Sequence, residues 1–162
     1  MRRADIINSK IGTLNEVLHQ VRRWRLIGKT VAFTNGVFDI LHRGHIFSLS
    51  QAAAEADFLV VGVNSDASTK RLKGDSRPLN DENSRALVLA SLLMVDMVVI
   101  FEEDTPLNVI TTLQPDILVK GGDYTLDQVV GAIEVMAAGG KVIINPIVEG
   151  FSTTGLIGKI KG

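Results

Sequence analysis

TVAFTNGVFDILHRGHIFSLSQAAAEADFLVVGV, residues 30–63, holds two β-rich apolar runs on either side of a helical pattern. Thr30 to Asn35 and Phe58 to Val63 are short, rich in Val and Phe, and bounded by Gly, Asn or Asp, which predicts strands. His45 to Ala56 repeats its apolar residues at spacings of three and four, which predicts a helix between them. The alternation continues outward. Met97 to Phe101, Ile117 to Lys120 and Lys141 to Ile147 read as three further strands, and Asp81 to Met94, Thr105 to Leu113 and Leu126 to Ala138 as the intervening helices. Gly139-Gly140 supplies a helix stop, since Gly adopts the left-handed cap without strain. Strand, helix, strand repeated in this way predicts an α/β fold: a doubly wound, five-stranded parallel sheet with helices on both faces.

Upstream, Thr13-Leu14-Asn15-Glu16 matches a capping box, and Leu14, Val17, Leu18, Val21 and Trp24 form one apolar stripe. Residues 1–29 therefore read as a basic helical extension packed on the sheet, and residues 1–162 as a single domain. That extension holds seven basic residues against Asp5 and Glu16, so it carries +5 and residues 30–162 carry −6, within a formal net charge of −1. A near-neutral chain is not expected to bind nucleic acid. A composition of 46% hydrophobic and 22% charged residues lies in the globular range. The longest apolar stretch, Ala86 to Phe101, is interrupted by Asp96 and is shorter than the roughly 20 residues of a membrane span. No apolar signal segment opens the chain, so a cytoplasmic protein with no membrane partner is expected. The absence of cysteine excludes a disulfide framework, a thiol nucleophile and a Cys-ligated metal.

In an open parallel sheet, ligands bind beyond the carboxyl ends of the strands. The segment after the first strand, Thr34 to His45, holds two of the three histidines, His42 and His45, on one side of a helical turn. Gly36 and Gly44 let an anion approach the backbone, and the helix that starts there offers unpaired N–H groups. This predicts a phosphate cradle with two imidazole donors. Ligation of a metal by the histidines is disfavoured, because only Asp39 lies nearby as a further ligand. No Gly-x-Gly-x-x-Gly occurs. Gly28-Lys29-Thr30 precedes its strand and has Arg23 where a P-loop needs glycine, which excludes that class of kinase or ATPase.

Asn35-Gly36-x-Phe38-Asp39-x-x-His42-x-Gly44-His45 resembles the signature of the nucleotidyltransferase superfamily that contains the cytidylyltransferases and pantetheine-phosphate adenylyltransferase. Asn64 to Pro78, Glu103 to Pro106, Val119 to Tyr124 and Glu149 to Thr154 are similar to segments of the heptose 1-phosphate adenylyltransferases. The resemblance covers roughly residues 28–162. It implies a Rossmann-like sheet of order 3-2-1-4-5 and direct in-line transfer of AMP from ATP to a sugar 1-phosphate, with pyrophosphate leaving. It implies Mg2+ carried mainly on the phosphates, with no direct side-chain ligand. Thr34, Asn35, Gly36, Val37 and Phe38 would line the nucleotide, and His42 and His45 would stabilise the α-phosphate. Lys73, on a mobile basic loop spanning 68–80, would bring its ammonium to the reacting phosphates. Asp39, Asp66, Arg77 and Arg85 would contact or orient substrate, Arg85 through a phosphate. Lys120, Gly121 and Asp123 would meet the adenine or ribose, and Ser152, Thr153 and Thr154 at the last helix would hold the β- and γ-phosphates.

Ile147 stands where glycerol-phosphate-type cytidylyltransferases carry arginine, which argues against that activity. Arg43, where the family often has a small residue, has no account. Many heptose enzymes fuse this domain to a sugar kinase, so a separate heptose kinase is expected, together with a homodimer. The alternatives are a cytidylyltransferase for glycerol 3-phosphate or an aminoalcohol phosphate, an FMN adenylyltransferase, and a non-catalytic nucleotide-binding module.

Overall fold

The computed structural model describes residues 5–146, 150 and 152–161. Helix α1 is Ile6–Ser9 and α2 is Leu14–Leu26; then follow β1 (Val31–Gly36), α3 (Arg43–Ala54), β2 (Phe58–Asn64), α4 (Asp66–Lys73) and α5 (Glu82–Ala90). The second half holds β3 (Met97–Phe101), α6 (Leu107–Leu113), β4 (Ile117–Gly121), a 3-10 turn (Leu126–Gln128), α7 (Ala132–Ala137), β5 (Lys141–Asn145) and α8 (Thr153–Lys161). The sheet is all parallel in the order β3-β2-β1-β4-β5, as the resemblance implies. The chain winds one way from β1 to β3 and the other way from β4 to β5. Its switch point therefore lies between β1 and β4, where open α/β sheets bind ligands.

The two-residue period of the strands builds one core on each face. Val31 and Phe33 of β1 point to one side with Val60, Leu118 and residues of α2, α6 and α7, among them Val21, Ile110 and Val135. Ala32 points to the other with Leu59, Val61 and Val63, against Leu49 of α3 and Leu89 of α5. The capping box that opens α2 is present, and Trp24 near its end stacks on Phe58 with centroids 4.1 Å apart. The N-terminal helix is thus part of the core. Arg25 spends its charge on the end of α6, donating to the carbonyls of Leu113 and Gln114.

Three predicted helices are shorter than expected, each for a local reason. The helix expected over Asp81 to Met94 stops at Ala90, and Lys10 donates from Nζ to the carbonyls of Leu92 and Val95 beyond it. Pro106 is the N-cap of α6, so that helix starts two residues later than predicted. The helix expected over Leu126 to Ala138 is divided at Gly131, whose φ is +86° and whose added Cβ would meet Ile110 at 2.7 Å. The basic segment after β2 is a second correction. It is helical through Lys73, because Ser65 caps it by accepting from the Ser68 N–H at 3.1 Å. Helix α1, and the parallel bridge from Ile11 to Val98 on the β3 edge, carry no periodic signal and were outside the sequence reading. The predicted end of the fifth strand at Ile147, and the motif residues Glu149 and Phe151, lie outside the described residues.

Candidate active site

The carboxyl ends of β1, β2 and β4 open into a cleft of about 620 Å³. Thr34, Asn35, Gly36, Val37, Phe38, His42, His45, Lys73, Arg77, Lys120, Gly121, Ser152 and Thr153 all line it, as does Asp39. The histidine turn is built by the chain's exit from β1. Phe38 takes a positive φ of 50°, and the chain reverses to start α3 at Arg43 with His42 as its N-cap. His42 Nδ1 accepts from the Gly44 N–H at 3.1 Å, so the neutral ring carries its proton on Nε2. One turn on, His45 stacks on His42 with centroids 3.9 Å apart, and Phe38 meets His45 edge-on at 5.5 Å.

The two rings cannot both be charged cheaply. Burial lowers the pKa of His45 to about 4, with the adjacent His42 adding to the shift, and burial also lowers that of His42. His45 Nδ1 is buried with no hydrogen-bond partner among the described residues. Both rings are therefore neutral at pH 7. Two cations also line the cleft. Lys73 is the last residue of α4, and Lys120 near the end of β4 lies 5.4 Å from the Tyr124 ring centroid. Burial, then repulsion from Lys73, lowers the Lys120 pKa, so the two ammonium groups are close enough to interact. Two neutral imidazole rings and two lysines lining one cleft make a site for concentrated negative charge.

Three of the expected contacts lie outside the cleft lining, and a fourth, Asp39, is tied into the fold. Asp39 is 3% exposed, and its carboxylate accepts from Arg77 Nε at 2.7 Å and from the Leu79 and Asn80 N–H groups at 2.9 Å. Both oxygens accept, so Asp39 holds residues 77–80 against the histidine turn while lining the cleft. Those same bonds tie residues 77, 79 and 80, the end of the segment expected to be mobile over 68–80, to the histidine turn. Arg85 is 2% exposed and outside the cleft lining; its guanidinium donates to three carbonyls and to Asp66. Asp66 is correspondingly an ion-pair partner at 2.8 Å, outside the lining. Asp123 is exposed and outside the lining, where Tyr124 stands in its stead.

Ser152 caps α8 by accepting from the Gly155 N–H at 3.0 Å, and Thr153 donates to the Ile40 carbonyl at 3.3 Å, tying α8 to the histidine turn. Thr154 lies in the first turn of α8, and its side chain is outside the described residues. Tyr124, Ser48 and Gln128 line the cleft without having been singled out. Only Tyr124 carried a signal. Gly122, two residues before it, has a φ of +126°, and an added Cβ there would sit 2.9 Å from the ring, so a glycine makes room for the aromatic. Among the described residues no group of three His, Asp or Glu side chains could hold a metal. None of the described helices is long and apolar enough to cross a membrane.

The chain is similar to the "Bifunctional protein HldE" of Rhodospirillum rubrum, with 55% identity over 96% of its length, and to that of Paramagnetospirillum magneticum, with 56% identity over 95%. It spans about a third of the length of each, 31% and 32% respectively. Among solved structures, the lipopolysaccharide core biosynthesis protein of Thermoplasma volcanium has 35% identity and a TM-score of 0.61, covering 75% of this chain and 98% of that one. A pantoate-β-alanine ligase of Francisella tularensis shares the fold at 17% identity and a TM-score of 0.62, covering 93% of this chain and 76% of that one. The model of the cytidylyltransferase-like family matches residues 33–158, which takes in the histidine turn, both lysines and the start of α8. With the parallel sheet and this cleft at its switch point, that match makes the chain a member of the cytidylyltransferase-like family.

Proposed function

We propose that this cleft transfers AMP from ATP to D-glycero-β-D-manno-heptose 1-phosphate, giving ADP-heptose and pyrophosphate. The observation that carries the chemistry is the neutral His42–His45 stack in one cleft with Lys73 and Lys120. The acceptor rests on the motif segments and on the high identity to proteins named HldE.

A phosphate oxygen of the sugar 1-phosphate attacks the α-phosphorus. The bond from that phosphorus to the bridging oxygen of the β-phosphate breaks opposite it, and pyrophosphate carries the electron pair away. The protein takes up no covalent bond, so its work is positioning and charge stabilisation. His42, with Nδ1 held by Gly44, donates from Nε2 to a non-bridging α-oxygen where charge concentrates. Lys73 and Lys120 neutralise the sugar phosphate and the leaving group, and the N-terminal end of α8 with Ser152 and Thr153 receives the terminal phosphates. Among the described residues no group of three ligating side chains could hold a metal; Asp39 accepts from Arg77, Leu79 and Asn80, and Asp66 is paired with Arg85. In this reading a divalent cation, Mg2+, arrives on the triphosphate as part of the substrate.

The test is pyrophosphate release from ATP or CTP across a panel of phosphorylated acceptors. Turnover with ATP and heptose 1-phosphate is expected. Turnover with CTP and glycerol 3-phosphate, with none for the heptose, overturns the proposal.

A further inference from the structure

Arg85 is the bulkiest fully buried side chain among the described residues, and it stands beneath the cleft without lining it. A buried guanidinium is tolerable only where most of its donors find acceptors. Here four acceptors take four of its five N–H groups. Nε donates to the Asn80 carbonyl at 2.9 Å, Nη1 to those of Val37 at 2.7 Å and Asn64 at 2.8 Å, and Nη2 to Asp66 Oδ1 at 2.8 Å. These come from three separate segments: the turn after β1, the junction of β2 with α4, and the stretch before α5. The side chain itself rises from α5, which packs on β2 and β3, so its origin is rigid.

We propose that Arg85 is a positioning residue that sets the histidine pair against the lysine helix. On one side, the Val37 carbonyl it holds directly precedes Phe38, whose ring packs edge-on against His45, which stacks on His42. On the other, Asn64 and Asp66 fix the first turn of α4, and Lys73 is the last residue of that helix. One planar cation thus spans the gap between the two halves of the proposed catalytic apparatus. Lysine cannot replace it, because a point ammonium with three donors does not reach four acceptors spread over three segments. The inference rests on the reading of the cleft as a nucleotidyl-transfer site.

The test uses the full chain with Arg85→Lys and Arg85→Ala, comparing melting, histidine ring NMR signals, and kcat and KM in pyrophosphate release. The chain has three histidines, and His19, exposed on α2, is an internal reference. Arg85→Lys is expected to melt cooperatively, to move the ring signals of His42 and His45 but not His19, and to lose about tenfold or more in kcat with both KM values within about threefold. Guanidinium added to Arg85→Ala is expected to restore part of kcat. Unmoved ring signals in a folded Arg85→Lys overturn the proposal, as does a kcat within about twofold of the parent. A loss confined to KM overturns it too, since that marks a substrate contact. If neither variant folds, Asp66→Ala keeps the guanidinium and removes one anchor; it must move the same ring signals in the same direction, and unmoved signals refute the inference. A parent chain that turns over no acceptor defeats the proposed function, while the ring signals still decide the role of Arg85.

Discussion

Replacing Asp39 by asparagine tests whether this residue belongs to the scaffold. The side chain keeps its shape and one acceptor oxygen, which can still receive the Leu79 and Asn80 N–H groups. The new amide then meets Arg77 Nε at the position of a 2.7 Å charge-assisted bond, donor against donor. Breaking a buried pair costs about 3–5 kcal/mol when the remaining charge is trapped. Arg77 is 15% exposed at its side chain and can turn partly to water, which brings the expected loss to about 2–4 kcal/mol. For a chain of this length that is a fall in Tm of about 5–15 °C. The pH dependence carries the sharper signature. Burial alone would raise the Asp39 pKa, but the Asn80 and Leu79 N–H groups and the Arg77 pair outweigh it, so the value lies below the ordinary 3.8. A depressed carboxyl contributes stability above its unfolded value and loses it as pH falls through the folded one. The gap between parent and Asp39→Asn should be full at pH 7 and should narrow below about pH 4, where the parent becomes a neutral acid resembling the variant. Urea melts of both proteins at pH 7 and pH 3 measure it. A gap equal or wider at pH 3, or a variant as stable as the parent at pH 7, would refute the clasp.

Lys73 ends its helix exposed, so Lys73→Ala should melt within a few degrees of the parent while kcat falls about a hundredfold or more; unchanged kcat/KM removes the lysine from the reaction. The acid limb of kcat/KM reports the free enzyme, and His45 stays neutral down to about pH 4. Activity should therefore persist well below the ordinary imidazole value near 6.5, and a limb at or above that value shows that burial does not set the protonation of the pair.

The fold was legible because the strands obey a period of two that both cores use: Val31 and Phe33 against one layer, Ala32 against the other. What periodicity could not show was where helices end. Gly131 divides the helix before β5 because Ile110 occupies the space a side chain would need, and that contact is tertiary. Helix α4 was hidden by its composition, since Lys70, Arg71 and Lys73 lack an apolar stripe and its start is announced only by the Ser65 cap.

The site was legible in its anions' partners and illegible in its scaffold, and one physical cause explains both. A motif records that a carboxylate or a guanidinium is required, but not which atoms consume it. His42 and His45 were placed on the cleft because helical spacing and the end of β1 dictate where their side chains emerge, and Lys73 was placed there by the resemblance alone. Asp39 and Arg85 stand in the same kind of segment and carry the same kind of chemistry. Their charges are spent on backbone groups that become neighbours only when β1, β2 and α5 pack. The carbonyls at the ends of parallel strands need donors, and the N–H groups of residues 79 and 80 need an acceptor. A fold that leaves its strand ends open for substrate must satisfy those groups from behind. Buried charges directly beneath a switch-point cleft are therefore as much a consequence of the architecture as the cleft itself, and residues 39 and 85 are where this chain puts them.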